Sequence, residues 1–128
     1  MVNFTHEISL DEENHLIRLV VEGKLTKSEG EKIIIEARAV AAQNQYDILC
    51  DITKATILAS MADWFYLFRN KEIYPSRSSE KTAILINPDT RKDYNFVKDV
   101  ILNVRLKIRI FSNENDALKW LKTHGSKD

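Results

Sequence analysis

The 128 residues, 44% hydrophobic and 30% charged, suffice for one domain around one core and are too apolar for a disordered chain. With 19 basic residues balancing 19 acidic ones, the formal net charge is +0, without the basic excess that general nucleic-acid binders carry. A single cysteine, Cys50, excludes an intramolecular disulfide.

The N-terminal stretch Met1–Glu7 lacks the basic-then-apolar pattern of a signal segment, and no apolar run is long enough to span a bilayer, so the expectation is a cytoplasmic protein. Phe4, His6, Ile8 and Leu10 alternate with polar residues, the period of a half-buried strand, with His6 expected on the core face. After the polar turn Asp11–Asn14, the near-continuous apolar run Leu16 to Glu22 predicts a second strand covered on both faces, ending at Gly23. The short turn pairs these two as an antiparallel hairpin.

Thr26-Lys27-Ser28-Glu29 has the spacing of a capping box. The helix behind it places Ile33, Ile34, Ala37, Val40 and Ala41 on one face and stops at Asn44-Gln45. Tyr46 to Ile52 reads as a buried central strand holding Cys50 as a small apolar residue, with Asp51 at its end. A second helix starts at Ser60, which stands three residues before Asp63. Pro75 to Glu80 is a loop, Lys81 to Asn87 another buried strand, and Thr90 with Asp93 repeats the capping spacing ahead of a helix that buries Phe96, Val97, Val100, Ile101 and Val104. Lys107 to Phe111 is the last strand. Asn113 and Asp116 cap a final helix carrying Ala117, Leu118, Trp120 and Leu121, ending at Gly125.

The chain is therefore a single α/β domain over residues 1–128, with a mixed, mostly parallel sheet of five strands and four helices in the order β-β-α-β-α-β-α-β-α. This order resembles the STAS fold of bacterial anti-anti-sigma factors and sulfate transporters, and more closely the small stand-alone STAS-like proteins related to anti-anti-sigma factors. The residues that carry the resemblance are Gly23-Lys24-Leu25-Thr26, the central Tyr46-Asp47-Ile48-Leu49-Cys50-Asp51-Ile52, Lys81-Thr82-Ala83-Ile84-Leu85, and Ile110-Phe111 with Ala117-Leu118-Lys119-Trp120-Leu121. The same fold serves lipid-carrying CRAL-TRIO domains, so it leaves function open. In anti-anti-sigma factors a serine at the start of the helix after the central strand is phosphorylated within an Asp-Ser-Ser-Gly motif. Ala59-Ser60-Met61-Ala62 stands there in this chain, so the resemblance points to Ser60 while the flanking motif residues differ.

Ser60 is accordingly a candidate switch, since a phosphate at a helix N-terminus meets free N–H groups and the positive end of the dipole; the competing reading is an ordinary cap. Asp51 and Thr53 are candidates for a docking or ligand rim at the carboxyl ends of the strands, together with Asn87, Asp89, Ser112 and Asn113, against the reading that they satisfy loop backbone. Trp64, Phe65, Tyr66, Leu67 and Phe68 sweep around the second helix at about 100° per residue, so one sheet face cannot bury them all and about two or three are expected outside the core. Trp64, Phe65, Tyr66 and Phe68 are thus interface candidates. Arg105, Lys107 and Arg109 share one face of the last strand and are read as a solvated edge-strand row; the competing reading joins them with Lys81 and Arg77 in a local basic patch for an anion.

His6, His15 and His124 lack metal-ligand spacing, and the 3 glycines do not cluster into a phosphate loop, so no cofactor, metal or catalytic residue is expected. The functional expectation is a non-catalytic interaction or regulatory module of STAS-like type, acting through an unknown protein partner, assembling as a homodimer, and binding no nucleic acid. The alternative is a carrier of a small apolar ligand or lipid in a CRAL-TRIO-like pocket; a small enzyme is the third reading.

Overall fold

The computed structural model describes residues 3–74, 80–104 and 107–123, with the side chains at 61, 65, 91, 93, 96, 100 and 102–104 outside that description. Strand β1 (Phe4–Asp11) turns back into β2 (Leu16–Thr26), followed by α1 (Lys27–Asn44), β3 (Asp47–Leu58), α2 (Met61–Arg69), β4 (Thr82–Leu85), a 3-10 turn (Pro88–Tyr94) running into α3 (Asn95–Val104), β5 (Ile108–Phe111) and α4 (Glu114–Leu121). The five strands lie in chain order in one sheet. β1 is antiparallel to β2 and every other pair is parallel, so the expected α/β architecture is observed.

Two strands run further than their apolar runs. β2 continues through Gly23 to Thr26 and β3 through Thr53 to Leu58, because the register shifts after Val20↔Asp51 and resumes at Glu22↔Lys54. A bulge of this kind hides in sequence: polar Lys54 and Thr56 alternate with half-buried Ala55 and Ile57, which is a strand covered on one face only. Gly23 is inside β2, not at its end. Its φ of +102° is a glycine conformation, and a Cβ there would stand 2.4 Å from the Asn3 carbonyl oxygen and 2.8 Å from Phe4 Cα. The Lys24 N–H donates to that same Asn3 oxygen at 2.9 Å. Gly23→Ala is expected to cost about 2 kcal/mol by forcing the start of β1 away. Hydrogen exchange checks it: β1 amides lose protection first, and unchanged β1 protection would refute the clash.

The sheet is covered unequally. Leu19, Val21, Leu25, Ile52, Ile84 and Ile86 pack against α1, α2 and α3 through Ile33, Ala37, Trp64, Phe68, Val97 and Ile101. On the opposite face α4 presses Ala117 and Leu121 onto Leu16, Leu49 and Ala83. Beyond Leu16 that face of β2 carries Arg18, Val20, Glu22 and Lys24, none of them buried. The expectation that both faces of β2 are covered therefore fails for most of the strand, because α4 sits over β4 and β5.

The first turns of the helices follow the capping logic in three places. Thr26 and Ser60 form complete capping boxes with Glu29 and Asp63, and Asn113 accepts from the Asp116 N–H. The fourth site differs. Asn87 is the cap there, accepting from the Asp89 N–H, and Thr90 Oγ1 donates to the Asn87 carbonyl. Pro88, fixed at a helical φ, starts the turn earlier than Thr90. The expected stop at Gly125 lies outside the described residues.

His6 is a further correction. It is exposed at the sheet edge, with Nε2 at 3.2 Å from Glu36 of α1, because β1 is an edge strand only partly overlaid by that helix. At the far end of the hairpin, Asp11 accepts from the Asn14 side-chain amide at 2.9 Å and from Arg18 Nε at 2.9 Å. The Asn14 amide first and the Arg18 guanidinium next hold the Asp11 carboxyl down at about 2. Arg18 also reaches Glu114 at 3.7 Å, tying the hairpin to α4.

Candidate functional site

The region the sequence singles out is the corner between β3 and α2. Ser60 has extended φ and ψ, accepts from the Asp63 N–H at 3.2 Å, and its own N–H donates to the Asp63 carboxylate at 2.8 Å. That bond from the Ser60 backbone holds the Asp63 carboxyl below its ordinary value. Ser60 is exposed, so its hydroxyl is at once a helix cap and an accessible group at a helix N-terminus.

Asp51 and Thr53 stand at the register shift rather than at a strand end. One Asp51 oxygen accepts from the Thr53 N–H at 2.9 Å and from the Thr53 hydroxyl at 2.6 Å. The carboxylate thereby satisfies backbone where the ladder changes step, and Asn87 and Asn113 are likewise engaged as caps. Of the expected polar rim, Asp51, Asn87 and Asn113 are thus each spent on local backbone.

The aromatic run of α2 is sorted by what lies around it. Trp64, Leu67 and Phe68 are buried in the domain core, and Tyr66 alone of the described run is exposed, at 67%. Trp64 stacks on Phe68 with centroids 5.8 Å apart and meets Tyr94 edge-on at 6.1 Å; Phe68 meets Tyr74 at 5.6 Å. Trp64 and Phe68 are therefore corrected from interface to core. The sheet is not the only cover: Tyr94 and α3 close a second side of α2, and Tyr74 closes its end. The Phe65 side chain lies outside the described residues. Tyr66 on α2 and Leu58 at the end of β3, 52% exposed, are two large apolar groups left exposed on the two elements that Ser60 joins.

Between α1 and α2 runs an apolar seam of three small cavities of about 40, 30 and 50 Å³, all lined by Ile34 and Trp64. Cys50 borders the inner two. Burial first, and the neighbouring Asp51 charge second, push its thiol up to about 12, so it is a neutral packing group and not a nucleophile near neutral pH. At one end of the seam the Arg38 guanidinium lies 4.4 Å from the centre of the Tyr74 ring and pairs with Glu80 at 2.6 Å. Burial raises the Tyr74 phenol well above its ordinary value, against the pull of Arg38. Nothing in the sequence spacing pairs Arg38 with Glu80, which meet only through the fold.

Of the basic row, Lys107 and Arg109 are exposed at the edge strand β5 as a solvated row requires, whereas Lys81 does not join them. Lys81 is buried and points into the domain, donating to the Trp120 and Thr123 carbonyls and to Thr123 Oγ1. Arg109 rests 5.4 Å from the centre of the Trp120 ring, while Arg77 and Arg105 lie outside the described residues. His124 is also outside them. Among the described residues no group of three or more His, Cys, Asp or Glu side chains could hold a metal ion. No helix among them is long and apolar enough to cross a membrane.

Comparison with known proteins decides the lineage of this corner. A family model described as SpoIIAA-like matches residues 16–122. The chain belongs to the SpoIIAA-like family. Two solved structures share its fold. An uncharacterised protein from Shewanella loihica PV-4 with a SpoIIAA-like fold is 18% identical, with a TM-score of 0.59 over 93% of each chain. An anti-sigma factor antagonist from Mycobacterium paratuberculosis is 14% identical, with a TM-score of 0.60 over 94% of this chain and 95% of that one. At these identities the likeness speaks for the SpoIIAA-like fold alone. No curated protein matches the chain. The resemblance seen in the sequence to anti-anti-sigma-type proteins thus holds at the level of family and fold.

Proposed function

We propose that this SpoIIAA-like chain is a non-catalytic regulatory module that docks a protein partner at the β3–α2 corner. The observation that carries the reading is the pairing of an exposed helix-capping Ser60 with Leu58 and Tyr66, both more than half exposed although the rest of the described α2 aromatic run is buried. Exposed apolar side chains on the two elements that meet at an accessible hydroxyl suit a protein surface. The structural likeness to an anti-sigma factor antagonist supports the same reading, because that protein is named for acting on another protein. A non-catalytic role is supported by Asp51 and Ser60, whose side chains accept from nearby backbone N–H groups, and by Thr53, whose hydroxyl donates to the Asp51 carboxylate.

The carrier reading has less support. Cavities of 30 to 50 Å³ fall far below the roughly 300–1,000 Å³ of small-molecule sites. A homodimer through this corner would use Tyr66 and Leu58 rather than the buried Trp64 and Phe68.

A photo-crosslinking amino acid placed at Tyr66 in living cells tests the proposal. Discrete protein adducts at 66, absent when the same group replaces exposed Lys119 on α4, are the expected result. Equal labelling at both positions, or an adduct at 66 that extracts with lipid solvent, would count against it. An adduct of twice the chain mass would identify the partner as a second copy.

A further inference from the structure

A second site lies beyond the last two strands, at the carboxyl edge of the sheet. We propose that the cleft over the carboxyl ends of β4 and β5 binds a small zwitterion of the free amino-acid type, its carboxylate at Lys98 and its ammonium at Asp116. The cleft has a volume of about 240 Å³ and is lined by Ile86, Lys98, Ile110, Phe111, Ser112 and Asp116.

Its position follows from the connections. β4 ends at Leu85 and β5 at Phe111, and the Ile86 N–H still donates to the Phe111 carbonyl at 2.8 Å. From there the two chains part. The one after β4 leads to α3, whose Val97 and Ile101 pack with Ile84 and Ile86 on one face of the sheet. The one after β5 leads to α4, whose Ala117 and Leu121 pack with Leu49 and Ala83 on the other. Adjacent parallel strands whose helices depart to opposite faces leave a crevice at their carboxyl ends, which is where open α/β sheets hold ligands.

The chemistry follows from the walls. Lys98 on α3 and Asp116 on α4 are both exposed and carry opposite charges, and they do not pair with each other. Arg18, Arg38 and His6, by contrast, each have a carboxylate within 4.0 Å. A simple anion drawn to Lys98 would face the Asp116 carboxylate, and a simple cation drawn to Asp116 would face the Lys98 ammonium. A ligand carrying both charges a few bonds apart matches both. Ser112 lies at the rim, and because Ile86 is buried and Ile110 and Phe111 are partly covered, the cleft offers little apolar surface, which favours a ligand with a short side chain or none. The volume lies below the roughly 300–1,000 Å³ of drug-sized sites, which selects a small molecule.

Exposed charges bind weakly, so the test is an amide chemical-shift titration of the whole chain at millimolar ligand. Glycine and L-serine are the probes; lactate, lacking the ammonium, and ethanolamine, lacking the carboxylate, are the comparisons. Saturable shifts at Ser112, Asn113 and Asp116 are expected with glycine or L-serine, with at least about tenfold weaker response to either comparison. Lys98→Met should abolish the shifts and Asp116→Asn should weaken binding about tenfold, each with the remaining spectrum unchanged. The absence of saturation with both amino acids, lactate binding as well as L-serine, or unaltered binding in Lys98→Met would each overturn the assignment.

Discussion

Trp64→Ala should lower unfolding stability by about 3–5 kcal/mol, the largest single effect expected in this chain. The indole is only 8% exposed, stacks on Phe68, meets Tyr94 edge-on and borders every cavity of the seam between α1 and α2. Its removal would join three small voids into one, and the surrounding Ile34 on α1, Ile57 on β3 and Ile84 on β4 are anchored on separate elements that cannot collapse together. A urea midpoint shift at unchanged slope is the measurement. Tyr66→Ala is the matched control: at 67% exposure it should move stability by less than about 0.5 kcal/mol. If Trp64→Ala instead folded normally and changed the assembly mass, Trp64 would belong to an interface after all.

Lys81→Met should cost about 2–3 kcal/mol, with the damage concentrated in α4. The Lys81 Nζ donates at 3.1 Å to the Trp120 carbonyl and at 2.8 Å to Thr123 Oγ1, and it also bonds the Thr123 carbonyl. It lies 5.3 Å from the centre of the Trp120 ring. The last carbonyls of a helix lack partners within the helix and carry the negative end of its dipole, so a buried ammonium there is a cation at the favourable pole. Methionine keeps the apolar stem and removes the three bonds. Its backbone N–H would still donate to Asp47, whose carboxyl is raised above its ordinary value by burial and pulled back by that bond. Hydrogen exchange should show α4 amides opening well before those of β2 and β3. A uniform loss of protection across the sheet would refute the picture of Lys81 as the clasp of α4.

Local features were legible without the fold. Thr26 with Glu29, Ser60 with Asp63 and Asn113 with Asp116 cap helices as their spacing indicates, because a cap satisfies N–H groups two or three residues away. Val97 and Ile101 are buried as their helical spacing requires, and alternating strands and helices produced the parallel sheet. The candidate site was half legible. Ser60 was found by its place before a helix, but the burial of Trp64 and Phe68 was not, since a helical run states only that different sides face different ways.

The sequence by itself determined the element order, the helix starts and the family, all of which rest on contacts between near neighbours in the chain. Only the tertiary structure decided which sides were covered. Tyr94 and Tyr74 come from beyond α2 to bury Trp64 and Phe68, a register shift lengthens β2 and β3, and Lys81 finds carbonyls 39 and 42 residues away. Burial of a side chain is set by everything packed around it, and pairing across such distances leaves no period in the sequence to read. The same holds for Lys98 and Asp116, which face one cleft only because α3 and α4 leave adjacent strands toward opposite faces of the sheet.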